Sequence, residues 1–375
     1  MSDIIENIIL LGVGGGAARF VSETVRKADV GMRAVVFDGD RSTAELCAPD
    51  VEFCLLGEGR LDGHGTGGQS IKGRAAVQDD AEFVKAALNN VRLAVVVVSL
   101  GGGFGSGATP EILNILRECG VTIFCVATLP FEFEGPSRVQ MARKHLALLE
   151  DSGGAFAAIK LDDLFADTKG LPIPEAYGAA TDIMSDLLSI YWSLLVKPGF
   201  VTFNVEQMCS IISASVGRCR FAIASATGDG RASIATQELF KSPLLGAESK
   251  VEGAGTVILG VLASKDLRLV ELTEISEVFR SHLSVNSTFL IGTVIDESFE
   301  GTVKLIAIFF DSVEEANLEV SSDPLISDEK KQRRSKKDLL GTGTPRHTRS
   351  VNATIYDGQD LDIPTYVRRE IKLDP

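Results

Sequence analysis

One glycine-rich segment between a predicted strand and a predicted helix constrains this chain more than any other feature. Leu93–Val98 predicts a buried strand because every residue in it is aliphatic. Ala108–Glu118 predicts a helix, with Pro110 tolerated in its first turn. Between them stand Gly101-Gly102-Gly103-Phe104-Gly105-Ser106-Gly107. Because glycine lets backbone N–H groups approach a ligand, and a helix N-terminus adds unpaired N–H groups, the segment predicts a phosphate site. The alternative is a tight connection that binds no ligand.

The surrounding chain alternates between predicted strands and helices, which predicts a parallel sheet with helices on both faces. Further strands are predicted at Asn7–Leu11, Arg33–Phe37, Phe53–Leu56, Val121–Ala127 and Ala155–Ile159. Two more glycine-rich loops follow such strands: Gly12-Val13-Gly14-Gly15-Gly16-Ala17-Ala18 and Gly63-His64-Gly65-Thr66-Gly67-Gly68. Ligands in these sheets bind at the carboxyl ends of the strands, so all three loops are expected at one site.

The first of these loops also supports a competing interpretation. It matches G-x-G-x-x-G/A after a strand, and Asp38 ends the next strand, where a ribose-binding acid would stand. Taken alone, this pattern would suggest an NAD-dependent dehydrogenase. The two other glycine-rich loops argue against it, and the absence of G-x-x-x-x-G-K-[ST] excludes a Walker P-loop.

Composition excludes several other classes. The net charge is −14, from 37 basic and 51 acidic residues, which argues against nucleic-acid binding. The six cysteines include no C-x-x-C pair and predict reduced thiols in a cytoplasmic protein, without a metal site. The start M-S-D-I-I-E-N lacks a basic region, so we expect neither a signal peptide nor a membrane span.

These loops resemble those of the tubulin/FtsZ family of GTPases. The family signature G-G-G-T-G-T-G is matched by Gly101 to Gly107, with Phe104 and Ser106 in the threonine positions. The first loop resembles G-V-G-G-G-G-G-N, with Arg19 in place of asparagine, and Gly63 to Arg74 resembles G-L-G-A-G-A-N-P-E-V-G-R. The family's P-F-x-F-E-G-x-x-R is matched by Pro130 to Arg138. The resemblance implies that Glu134 and Arg138 contact the nucleotide, although a surface ion pair is the alternative.

Pro174 to Val196 predicts a helix that is buried between two layers, because it is apolar on more than one face. It resembles the family's central helix, which joins the nucleotide domain to a second domain. The resemblance implies that Tyr177 stacks on guanine and that Thr181 and Asp182 contact the base, with Asp182 accepting from N1–H and N2–H₂. The family asparagine that precedes this helix is missing near Leu161-Asp162.

The segment Thr202-Phe203-Asn204-Val205-Glu206-Gln207 aligns with the family's catalytic loop, N-x-D-F-A-D. In the family this loop enters the next subunit's nucleotide pocket and activates water. Asn204 and Gln207 replace both aspartates, and Glu206 is the only charged residue, one place out of register. The resemblance implies a degenerate catalytic loop made of Asn204, Glu206 and Gln207. A plain helix–strand connection is the alternative.

The chain is predicted to end in a second α/β domain and a tail. Asp360-Leu361-Asp362-Ile363-Pro364-Thr365-Tyr366-Val367-Arg368-Arg369 resembles the terminal peptide of the family's FtsZ branch, which tubulins lack. We expect a GTP-binding domain at 1–173, the central helix at 174–198, the α/β domain at 199–320, a disordered linker at 321–358 and a partner-binding peptide at 359–375.

Together these features predict a divergent FtsZ-type cytoskeletal GTPase, cytoplasmic and located at the division site. The resemblance implies head-to-tail filaments, GTP or GDP as the ligand with Mg²⁺ as an additional candidate, and membrane-tether or division proteins as partners of residues 360–369. The first alternative is a nucleotide-binding filament protein with little or no hydrolysis, and the second is the dehydrogenase.

Overall fold

A ten-stranded mixed sheet is the main element of the computed structural model. The structure describes residues 7–28, 31–151, 154–165, 172–197, 199–202, 204–215, 217–245, 254–311, 355–356 and 359–360. The sheet order is β3-β2-β1-β4-β5-β6-β7-β10-β8-β9. The strands are β1 Ile8–Val13, β2 Ala34–Asp38, β3 Val51–Leu55, β4 Leu93–Ser99, β5 Thr122–Leu129, β6 Ala155–Lys160, β7 Gly217–Thr227, β8 Ala254–Ala263, β9 Thr288–Ile295 and β10 Thr302–Asp311.

The first seven sheet positions pair in parallel, and β10 alone is antiparallel to both of its neighbours. The helices are α1 Gly15–Lys27, α2 Glu58–Leu61, α3 Ser70–Asp79, α4 Ala81–Ala87, α5 Gly103–Glu118, α6 Pro136–Asp151, α7 Ile173–Val196, α8 Val205–Ala214, α9 Arg231–Leu239 and α10 Leu269–His282. Since parallel strands end at the same edge, the loops after β1, β2, β4 and β5 lie together.

The position of strand β4 between two cores explains why its sequence is a continuous apolar run. Its odd-numbered residues Leu93, Val95 and Val97 face the core that contains α7, whereas Ala94, Val96 and Val98 face the core that contains α5. A strand covered on both faces needs apolar residues at every position.

Helix α7 links the half of the chain that contains β1–β6 to the second half, which contains β7–β10. Leu187, Leu188 and Leu194 are buried in the same core as Ile258 and Ile306 of the second half. By length and composition, α7 could also cross a membrane, but it is mostly buried in the protein core, as its apolar character on several faces requires. The predicted α/β architecture with a long central helix is confirmed.

Some local predictions were wrong. Helix α5 begins at Gly103 rather than Ala108, so the glycine-rich segment supplies its first turns and Pro110 lies in its interior. From its sequence, the segment near Ile71–Asn90 is also predicted to be one helix, but it forms two, α3 and α4, that meet at Asp80.

The last 52 residues, Pro324–Pro375, form a separate unit. In it, β11 Ile355–Tyr356 pairs antiparallel with β12 Gln359–Asp360. The rest of the predicted linker and terminal peptide lies outside the described residues.

Candidate functional site

A cleft of about 610 Å³ opens at the carboxyl ends of β1, β2, β4 and β5. Its size is typical of a small-molecule site. All three predicted glycine-rich loops line it, and their contributions are Gly14, Gly15, Gly16, Gly65, Gly67, Gly68, Gly102, Gly103 and Gly105.

The first loop and the third loop touch at the floor of this cleft. Gly14 has φ +86°, and a Cβ there would lie 3.2 Å from the backbone nitrogen of Gly105. A Cβ on Gly16 would lie 2.6 Å from Cβ of Ser99. These contacts leave no room for side chains at Gly14 and Gly16, so the two loops can pack closely. The N-termini of α1 and α5, which follow these loops, therefore both reach the same cleft. Each N-terminus brings unpaired N–H groups and a positive dipole end, which favour a phosphate.

The seven signature residues divide into two groups. Gly102, Gly103, Phe104 and Gly105 line the cleft. Gly101, Ser106 and Gly107 lie behind it. The Ser106 hydroxyl accepts a hydrogen bond from the Gly101 N–H at 2.9 Å, and a Cβ on Gly107 would overlap the carbonyl oxygen of Ser70. The second group therefore holds the turn and the α5–α3 contact.

Asp38 forms part of the cleft wall and is 5% exposed. One carboxylate oxygen accepts from the Thr43 hydroxyl and the other from the Gly39 N–H, both at 2.7 Å. Burial raises the pKa of Asp38, against these hydrogen bonds. Both oxygens are thus already engaged by the protein.

A carboxylate, a guanidinium and an aromatic ring meet at another wall. Glu134 accepts from the Phe131 N–H at 3.0 Å and from Arg138 at 2.5 Å. The ring of Tyr177 packs edge-on against Phe131, with centroids 5.1 Å apart. Burial is the largest cause that raises the pKa of Tyr177 to about 12, and the Glu134 carboxylate is the second. Arg138 and Arg19 act to lower this pKa. Tyr177, Arg19 and Arg138 all line the cleft.

Arg19 and Thr181 line the cleft, whereas Asp182 does not. The Thr181 hydroxyl donates to the Tyr177 carbonyl at 2.8 Å. The Asp182 carboxylate accepts from Nζ of Lys27 at 2.9 Å. The predicted contact of Asp182 with the base remains a prediction.

The three predicted catalytic residues do not line the cleft of their own chain; they begin α8. Asn204 Oδ1 accepts from the Gln207 N–H at 2.7 Å, and Gln207 Oε1 accepts from the Asn204 N–H at 3.3 Å. This reciprocal pair is a capping box. Glu206 lies 2.6 Å from Arg92 in an exposed ion pair.

Sequence reasoning did not single out several polar residues that line the cleft. Their shared signal was a position at or shortly after the carboxyl end of a strand, or within a glycine-rich loop, and they are Asp40, Thr43, His64, Thr66, Ser99 and Thr128. Within the described ranges, no three histidine, cysteine or acidic side chains come together as a metal site.

Two family models match this chain. Residues 7–166 match the GTPase domain of the Tubulin/FtsZ family, and residues 217–311 match the C-terminal domain of the FtsZ family. The cell division protein FtsZ of Buchnera aphidicola subsp. Acyrthosiphon pisum (strain APS) is 25% identical over 383 residues, covering 98% of each chain. The protein of the same name from the subspecies Schizaphis graminum (strain Sg) is 26% identical over 302 residues, covering 80% of this chain and 78% of its own.

Solved structures agree with these matches. An empty FtsZ dimer of M. jannaschii superposes with a TM-score of 0.76 at 25% identity, covering 82% of this chain and 89% of that one. The GTPγS-bound protofilament of CetZ2 from Haloferax volcanii has a TM-score of 0.68 at 18% identity, covering 89% of this chain and 100% of that one. The second likeness supports the fold alone.

Proposed function

This chain belongs to the tubulin/FtsZ family, and we propose that it is an FtsZ-type cytoskeletal GTPase of cell division that polymerises head to tail. The observation that supports this most is the meeting of three glycine-rich loops and two helix N-termini at one cleft. A head-to-tail contact is heterologous and does not close, so it builds filaments. The relatives favour neither the filament protein without hydrolysis nor the dehydrogenase.

The cleft suits a guanine nucleotide in one orientation. The phosphates would lie on the N–H groups of the glycine-rich loops. Glu134 and Arg138 would hold the sugar side, and Tyr177 would stack on the base. Mg²⁺ would be held mainly by the phosphates, because it prefers phosphate oxygens and few protein carboxylates. Asp40, which lines the cleft, could supply one such carboxylate.

We propose that the chemical step is slow. An amide has no proton affinity near neutral pH, and Oδ1 of Asn204 already accepts the Gln207 N–H. Glu206 is the nearby carboxylate, and it is paired with Arg92. Losing one general base costs about 10²- to 10⁴-fold in rate.

The remaining assignments extend from the family. The nucleotide domain would span 1–173, the central helix 174–198 and the second domain 199–320, followed by a linker at 321–358 and a terminal peptide at 359–375. We place the protein in the cytoplasm at the division site. Residues 360–369 would bind a membrane-tether or division protein.

Two measurements on the purified chain test this proposal. Mild denaturation should release GDP or GTP, identified by ion-exchange chromatography, rather than NAD. Phosphate release per subunit should rise with protein concentration, because the active site is shared between subunits. Released NAD, or turnover that is independent of concentration, would contradict the proposal.

A further inference from the structure

Asp182, the carboxylate that family resemblance implies at the base end of the cleft, does not line it. Tyr177 and Thr181 lie one turn apart on α7 and both line the cleft. Asp182 follows Thr181 by about 100° around the helix, and its carboxylate is turned to Lys27 at 2.9 Å. The Thr181 hydroxyl, whose proton is donated to the Tyr177 carbonyl, leaves one neutral acceptor there.

The second acidic group on this side is also engaged. Both oxygens of Glu134 accept hydrogen bonds from within the protein, one from Phe131 and one from Arg138. Among the described residues that line the cleft beside Tyr177, no carboxylate is therefore free to accept from both guanine N1–H and N2–H₂. A site of this kind has weak means of recognising the Watson–Crick edge of guanine.

Arg19 offers the opposite chemistry. It lies one helical turn beyond Gly15 in α1, on the face that lines the cleft with Tyr177 and Thr181. No ion pair joins Arg19 to another residue in the part of the chain that the structure describes. Its guanidinium also acts to lower the pKa of Tyr177, as expected of a cation near that phenol.

Arginine carries five N–H donors and no acceptor. Guanine presents O6 and N7, two acceptors that a guanidinium contacts with both arms, whereas adenine presents an N6–H₂ donor at the same edge. Hypoxanthine keeps O6 and N7 and lacks only the N2 amino group of guanine.

We propose that Arg19 recognises the base through O6 and N7, and that the site consequently does not distinguish inosine from guanosine nucleotides. This inference rests on the proposed function, since it concerns the same nucleotide site. Arg19 is then the residue that excludes adenine nucleotides.

A phosphate contact is the other role open to an arginine here. The glycine-rich loops and two helix N-termini already provide N–H groups for phosphates. The two roles predict different results: loss of a phosphate contact would weaken all nucleotides alike, whereas loss of a base contact would weaken only those with O6.

The test is isothermal titration of nucleotide-free, full-length protein with GDP, IDP and ADP, because diphosphates are not hydrolysed. IDP should bind within about threefold of GDP, and ADP should bind at least about tenfold more weakly. Arg19→Ala should weaken GDP and IDP by roughly 10- to 100-fold, the worth of a hydrogen bond to a charged group. ADP should change little.

Two further variants sharpen the result. Arg19→Lys keeps the charge but not the two-armed donor, so it should behave as Arg19→Ala does toward GDP. Arg26→Ala removes an exposed arginine of the same helix whose ion pair, within the described residues, is the local one with Glu23, and it should leave all three affinities unchanged.

IDP binding more than tenfold weaker than GDP would overturn the inference while leaving the proposed function intact. Equal weakening of all three nucleotides by Arg19→Ala, with recovery in Arg19→Lys, would also overturn it in favour of a phosphate contact. Failure of every nucleotide to bind would overturn the proposed function together with the inference.

Discussion

Replacing the amides of the proposed catalytic loop by aspartates, Asn204→Asp with Gln207→Asp, should accelerate GTP turnover without weakening the fold. Asn204 Oδ1 caps α8 at 2.7 Å from the Gln207 nitrogen, and an aspartate keeps that acceptor. Its charge at the helix N-terminus adds about 0.3–1 kcal/mol of stability. The weaker hydrogen bond that Gln207 Oε1 accepts from the backbone N–H of residue 204, at 3.3 Å, is lost at a cost of about 0.5–1 kcal/mol. The two changes nearly cancel.

The rate should respond much more. A restored general base contributes about 10²- to 10⁴-fold, and an aspartate with an ordinary pKa near 4 is a weak base at neutral pH. We therefore expect an increase near the lower bound, about 100-fold, in phosphate release per subunit. Filament lifetime should shorten in proportion, as measured by light scattering after a limited dose of GTP.

The ion pair between Glu206 and Arg92 supplies a matched pair of variants. Glu206→Gln and Arg92→Gln break the same 2.6 Å contact, which is exposed and worth about 0.2–1 kcal/mol in either case. Only Glu206→Gln removes the carboxylate, so only it should slow turnover further. Equal effects of the two variants, or a double-aspartate variant no faster than the wild type, would refute the assignment of catalysis to this loop.

Four other changes have defined outcomes. A Cβ on Gly102 would meet no atom within 4 Å, so Gly102→Ala should fold normally but weaken GDP binding about tenfold, as measured by titration. A Cβ on Gly107 would overlap backbone atoms, so Gly107→Ala should lower the melting temperature by about 2–10 °C. The reverse pattern would contradict the roles assigned to these two glycines. Because Lys197 lowers the pKa of Asp296 to about 2, Asp296→Asn should be about 2 kcal/mol less stable near neutral pH. That deficit should vanish between about pH 4 and pH 2, as denaturant titrations at each pH would show; a constant deficit would exclude the ion pair as its cause. Deleting residues 360–375 should leave GDP binding and sedimentable filaments intact, so loss of assembly would show that these residues belong to the fold.

Much of the nucleotide half could be predicted because its signals are local. The continuous aliphatic run of β4 specifies a strand covered on both faces, and the glycine-rich loop after it specifies where the backbone must approach a ligand. Parallel pairing then brings the loops after β1 and β4 to one edge without any further information. The predicted start of α5 was wrong because glycines are poor helix formers in general. Burial against α3 nevertheless keeps Gly103 and Gly107 helical.

The direction of Asp182 was beyond such reasoning, because it is set by a residue 155 positions away. The sequence places Thr181 and Asp182 side by side, and one residue of helix rotation decides which of them faces the cleft. That rotation depends on how α1 packs against α7, where Lys27 contacts both Asp182 and Asp186. No local pattern contains this information.

The proposed catalytic loop shows the opposite case, in which a local signal was present but alignment to a family pattern was given more weight. N-V-E-Q matches a capping box, with asparagine at the first position and glutamine three residues later. One lone pair of Asn204 Oδ1 accepts the Gln207 N–H, so it is not available to a water in a neighbouring subunit. The other lone pair belongs to an amide, which cannot take a proton. Capping by Asn204 therefore stabilises α8 without providing a base. Any base chemistry from this segment has to come from Glu206, after its separation from Arg92.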